Sequence, residues 1–155
     1  MVRSRRLDPA LMEALGNLVS GWSFVEAMLN EFLAFLLGAD KGYAYILTQS
    51  VSNSTVTDWI KTGVTLRDFG DHASNEITML LQRIEGVRAE RNALVHGTWN
   101  EGPEPNTAMV QTVRLERRDI IVRQLVTVPD LHELINEIEG ITSDLAAIAR
   151  GLGYV

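Results

Sequence analysis

Residues 8–37 read DPALMEALGNLVSGWSFVEAMLNEFLAFLL. Within them Leu11, Leu15, Leu18, Trp22, Val25, Leu29, Phe32 and Leu36 recur at alternating steps of four and three. That period lines one side of an α-helix and suits packing into a bundle. Asp8 followed by Pro9 provides an N-cap and a first-turn proline, and Gly38 is placed to stop the helix. Gly16 and Gly21 weaken the helix without changing its period. Met12, Val19, Phe24, Met28 and Phe35 fall outside the seam and widen the apolar face. A second contact there, with another subunit, is expected.

The same period returns downstream. A short helix is expected at about 42–51 and a third from near Thr55 to Phe69, with Gly70-Asp71 as the break. A fourth runs from about Ala73 to His96 and stops at Gly97, which is expected to adopt the left-handed conformation that glycine tolerates best. Residues 109–115 and 120–126 are short and β-branched, and Glu116-Arg117-Arg118-Asp119 between them reads as a hairpin turn. After Thr127-Val128-Pro129 a last helix is expected, with Asp130 and Glu133 as its capping box. Its apolar positions Leu131, Leu134, Ile138, Ile141, Leu145, Ile148 and Leu152 repeat the seam spacing. The fold class is therefore mainly α: an antiparallel helical bundle with long N- and C-terminal helices and one small β-hairpin at about 109–126, in a single domain over residues 1–155.

Composition fits that reading. The chain has 155 residues, 46% hydrophobic and 22% charged, enough to bury a core. With no cysteine there is no thiolate ligand, disulfide or thiol nucleophile, and a reducing cytoplasm suits such a chain. Basic Met1–Arg6 is followed at once by Asp8, Pro9 and Glu13, which does not make a secretory signal. The longest apolar run, 32–37, is short of the roughly 20 residues of a membrane span. A net charge of −6 argues against bulk attraction to nucleic acid but leaves room for a local basic site. His72, His96 and His132 lack ligand spacing, so neither a metal nor another cofactor is expected.

The chemistry is concentrated at the end of the fourth helix. At about 100° per residue, Ile77, Leu80, Leu81, Ile84, Val87, Leu94 and Val95 form one apolar stripe, and Arg91 falls in its middle with Arg88 beside it. A guanidinium on a core-facing stripe is costly unless it is paired or borders a polar cleft. His96 follows five residues later, roughly 140° further round an ideal helix, so the two side chains converge only where the helix ends or where a second copy faces the first. Asn92 lies one turn before His96 and can hydrogen-bond toward it.

Arg91-Asn92-Ala93-Leu94-Val95-His96 resembles the Arg-x4-His signature of the HEPN superfamily, small helical proteins that include RNA-cleaving toxins and defence effectors. The likeness covers the helical part and not the hairpin. It implies a homodimer with one composite active site, metal-independent RNA cleavage by 2′-hydroxyl attack, and a 2′,3′-cyclic phosphate product. By position, Arg91 would stabilise the phosphorane-like charge, Asn92 would be its polar companion, and His96 would transfer the proton. It also brings in RNA as substrate and an antitoxin as a partner.

Other residues carry a functional reading beside a bland one. Glu26, near Trp22 on the first helix, is a candidate to hold Arg91 or orient His96, and equally a solvated helix charge; Arg88 is a second supporting candidate. Trp99, beyond the motif in a Gly/Pro-rich stretch, is a candidate for stacking on a base, although packing is the commoner role; Trp22 and Trp59 read as core. Arg117 and Arg118 of the hairpin, with Arg114, could extend an RNA footprint or simply blunt an exposed edge. The competing functional class is a catalytically inactive HEPN-like module that dimerises or binds a ligand in the arginine-lined cleft.

Overall fold

The structure, a computed structural model, describes residues 7–114 and 120–154. Five helices and three strands follow in the order α1 (Pro9–Leu37), α2 (Lys41–Thr48), α3 (Asn53–Arg67), α4 (Asp71–His96), β1 (Thr98–Glu101), β2 (Thr107–Arg114), β3 (Ile120–Thr127) and α5 (Val128–Gly151). The protein is mainly helical, with long N- and C-terminal helices and a small antiparallel sheet. Among the described residues no single helix is long and apolar enough to cross a membrane.

Local chemistry sets most helix ends. Asp8 Oδ1 accepts from Ala10 N at 2.9 Å at the start of α1, and Gly38, with φ +62°, ends it. Asp40 caps α2 by accepting from Gly42 N at 2.8 Å, and Ser52 caps α3 through Thr55 N. The capping box of α5 lies three residues earlier than expected. Asp130 Oδ2 accepts from Thr127 N at 2.8 Å, and Asp130 N donates to Thr127 Oγ1 at 3.3 Å. Val128 and Pro129 thus belong to the first turn, where proline loses no helical hydrogen bond.

The chain packs as two compact units. One comprises the chain up to Gly21 together with Val87–Glu137 and contains the sheet. Its core is built from Leu11, Leu18, Leu94, Val110, Val126 and Leu131, each 3% exposed or less. The sheet has the order β1-β2-β3, all antiparallel, with Trp99 opposite Val110 and Asn100 opposite Met109 in the first pair. In the second pair Val110 faces Gln124 and Gln111 faces Arg123. The expected hairpin is therefore the β2–β3 part of a larger sheet, and β1 replaces the loop read from the sequence. The turn expected at 116–119, with Arg117 and Arg118, lies outside the described residues.

The other unit comprises Trp22–Gly86 and Ile138–Val155. Trp22, Phe32, Ile60, Leu81, Ile84 and Ile141 are among its largest fully buried side chains. Arg67 donates Nε to the Leu36 carbonyl at 2.7 Å, supplying a donor to one of the carbonyls left open where α1 ends. Trp59, read from the sequence as core, is instead 40% exposed: Val56, Ile60 and Val64 take the buried side of α3, and Trp59 falls outside that stripe. Met12 and Phe24, placed outside the α1 seam, are more than half exposed.

Candidate functional site

The stripe on α4 is buried at Ile77, Leu80, Leu81, Ile84, Val87 and Leu94, while Arg88, Arg91 and Val95 are half-buried. Arg91 therefore enters an apolar face without being sealed in it. Its Nη1 donates to Asn92 Oδ1 at 3.0 Å. Its Nε is buried and has no hydrogen-bond partner among the described residues. A buried donor left unsatisfied costs about 1–3 kcal/mol, a cost that falls on Arg91 Nε in this arrangement. Arg88 Nε is buried as well.

Asn92 turns to its sequence neighbour and not to His96. The geometry explains the difference: the Arg91 guanidinium carries five donors and a charge-assisted hydrogen bond is roughly twice as strong as a neutral one. His96 is the last residue of α4 and is exposed. It makes no hydrogen bond within the described residues, so its ring is open to solvent and to any incoming group.

Gly97 does not adopt the left-handed conformation expected of it; the glycines with positive φ are Gly38, Gly70 and Gly153. Its small size serves packing. A Cβ built there collides with Val110 Cγ1, lies 2.7 Å from the Ala93 carbonyl oxygen and 3.3 Å from Thr112 Cγ2. The helix ends because Thr98 pairs opposite Gln111 and the chain becomes β1. Trp99 then folds back: its Nε1 donates to the Leu94 carbonyl at 2.7 Å, and its half-buried ring packs at the helix end. This occupies the polar edge of the indole and gives Trp99 the packing role.

Glu26 accepts hydrogen bonds from Trp22 Nε1 and Asn53 Nδ2. Both partners belong to its own unit, and Asn53 is the first residue of α3. Trp22 is fully buried, so Glu26 satisfies an indole N–H that burial cuts off from water. Arg123 is exposed on β3 and lines a depression of about 330 Å³ with Asn100, Glu101, Met109 and Gln111. The sequence reading missed this depression because it took β1 for a loop. His72 lies 3.7 Å from Glu76 on the surface, and among the described residues no three His, Asp or Glu side chains are grouped to hold a metal ion.

No protein-family model matches the chain, and neither curated proteins nor solved structures give a match.

Proposed function

We propose that this protein is a metal-independent endoribonuclease of the HEPN type, a toxin or defence effector of the cytoplasm that works as a homodimer. The observation that carries the reading is Arg91: a cation on an apolar stripe with its buried Nε unpartnered, five residues before a solvent-open His96 at a helix terminus. An anionic phosphate would give the guanidinium a charged partner beside the neutral Asn92.

In this reading His96 takes the proton from a ribose 2′-hydroxyl, and the 2′ oxygen attacks the adjacent phosphorus. The P–O5′ bond breaks, leaving a 2′,3′-cyclic phosphate, and the 5′ oxygen is protonated by the imidazolium of the second copy. Arg91 neutralises the charge that builds on the equatorial phosphate oxygens, and Asn92 fixes one arm of the guanidinium. The alternative, an inactive module with the same fold, draws on the lack of any group among the described residues that orients His96.

The test is incubation of a mixed RNA pool with the protein in EDTA. Cleavage should continue in chelator and yield cyclic-phosphate ends. His96→Ala should lower the rate by about 10²–10⁴-fold, and Arg91→Ala by a comparable factor. If both variants cut as fast as the unaltered protein, Arg91 and His96 are not its active site; if the unaltered protein does not cut, the inactive module is the correct reading.

A further inference from the structure

Strand register builds the depression on the sheet. Ala108, Val110 and Val126 are buried, so Met109 and Gln111 of β2, which alternate with the first two, stand on the opposite, open face. Pairing extends that face to both neighbouring strands. Asn100, Met109 and Leu125 form one cross-strand row, and Thr98, Gln111 and Arg123 form the next. The rows lie about 6.6 Å apart, two residues along a strand. The first is apolar over β2 and β3, with Leu125 46% exposed. The second ends in a guanidinium that makes no ion pair among the described residues. Glu101, the last residue of β1, completes the lining of the depression of about 330 Å³.

We infer that this depression is a nucleobase subsite for the RNA whose phosphate is bound at Arg91 and His96, an inference that rests on the proposed ribonuclease function. Thr98 follows His96 by two residues in the same compact unit, so their Cα atoms are at most about 7 Å apart. The polar row begins there. Gln111 and Arg123 lie one and two strand spacings further, at about 4.8 Å each, which a nucleotide flanking the cut can reach. A base offers flat apolar faces and polar edges. Met109 presents a polarisable thioether to a face, and the amides of Asn100 and Gln111 both donate and accept at an edge. Arg123 supplies a cation for the adjoining phosphate or a plane for stacking. In a chain of net charge −6 bulk attraction to RNA is absent, so affinity depends on local contacts of this kind. Glu101 decides which bases fit. A carboxylate only accepts; it repels phosphate and takes a hydrogen bond from an exocyclic amino group, which adenine, cytosine and guanine carry and uracil lacks.

Fluorescence anisotropy with short labelled oligoribonucleotides, one all cytidine and one all uridine, tests the subsite on His96→Ala protein, in which no cut is expected. The cytidine strand should bind more tightly. Adding Gln111→Ala or Arg123→Ala should weaken its binding about 10-fold, with an unchanged circular dichroism spectrum showing that the variants fold. Glu101→Gln, whose amide also donates, should bring the two strands to similar affinity. With His96 intact, Gln111→Ala and Arg123→Ala should raise KM for the mixed RNA pool and leave kcat near that of the unaltered chain. Variants that bind and cut like the unaltered chain overturn the subsite and leave the ribonuclease reading standing. Binding that depends on Gln111 and Arg123, in a chain that does not cut, upholds the subsite and removes the ribonuclease reading. Equal affinity of the Glu101-intact protein for both strands overturns the selectivity assigned to Glu101. A chain that neither binds nor cuts RNA overturns subsite and ribonuclease together.

Discussion

Trp99 donates its indole N–H to the carbonyl oxygen of Leu94 at 2.7 Å. One is the second residue of β1 and the other lies in the last turn of α4, so this single bond joins the sheet to the helix end that carries His96. It also satisfies one of the carbonyls that every helix leaves open at its C-terminus. Trp99→Phe keeps a ring and removes the donor. It should destabilise the protein by about 1–2 kcal/mol, from the lost hydrogen bond and the smaller buried area, read as a lower midpoint in urea. If cleavage depends on the position of His96, the rate should fall as well, because the last turn of α4 loses its tether.

Gly97→Ala addresses the same junction by volume. The added methyl meets Val110 Cγ1 and the Ala93 backbone, and neither is the free end of a flexible chain. The expected cost is about 1–3 kcal/mol, the range for overpacking, measured by thermal or urea unfolding. Combining it with Val110→Ala should recover part of that loss. The Ala93 carbonyl cannot move without disturbing the helix, so recovery should be incomplete. Because Gly97 has no positive φ, an alanine that costs nothing would show that the β1–β2 packing around it is loose.

How far these features were readable in the sequence depends on whether they are local. Asp8-Pro9 and Gly38 mark the ends of α1 because caps act within four residues, and the seam of three-and-four steps identifies the buried side of α1 and α5. The box of α5 was shifted because Val128-Pro129 looks like a connector, and only the Thr127–Asp130 bonds reveal the first turn. Strand β1 was illegible: Thr98–Glu101 sits between Gly97 and Pro103, and its pairing with β2 is a tertiary fact. Trp59 misleads because tryptophan is usually buried, whereas the side of α3 that packs is decided by Val56, Ile60 and Val64. Arg91 was legible as a cation on an apolar stripe. The direction of Asn92 was not, since side-chain choice between two neighbours depends on the finished geometry.

The triad Glu31, Lys41 and Tyr154 gives a pH-dependent signature. Glu31 Oε2 accepts from Lys41 Nζ and from Tyr154 Oη, both at 2.9 Å, and Lys41 Nζ lies 5.2 Å from the Tyr154 ring centre. The hydrogen bonds from Lys41 and then Tyr154 hold the Glu31 carboxyl below its ordinary 4.5, and Tyr154 and Glu31 raise Lys41 above its ordinary 10.5. A lowered carboxyl stabilises the fold above its ordinary value and loses that contribution as the pH falls through the lowered one. A raised amine contributes below its ordinary value and loses it as the pH rises through the raised one. Glu31→Gln should therefore melt slightly below the unaltered protein at neutral pH, by a few degrees at most because the pair is half exposed. The difference should shrink as the pH drops below 4.5. A gap that persists unchanged in acid would assign the effect to packing of Tyr154 and not to the charge.

Arg91→Met separates a residue kept for function from one kept for folding. Methionine follows the path of the arginine stem and fills the apolar stripe, and it removes a buried Nε that has no partner among the described residues. The bond to Asn92 is lost, but Asn92 is half-buried and can turn to water. The two terms oppose one another: relief of an unsatisfied donor is worth about 1–3 kcal/mol, and a lost hydrogen bond costs about 0.5–1.5 kcal/mol. The variant should thus be as stable as the unaltered protein or more stable by about 1 kcal/mol, while RNA cleavage disappears. That pairing of gained stability with lost activity is what a site held against its folding preference produces. Unfolding in urea together with the cleavage assay decides the matter. If Arg91→Met loses more than about 1 kcal/mol, Arg91 is a structural member of the α4 stripe and the case for an active site there falls with it.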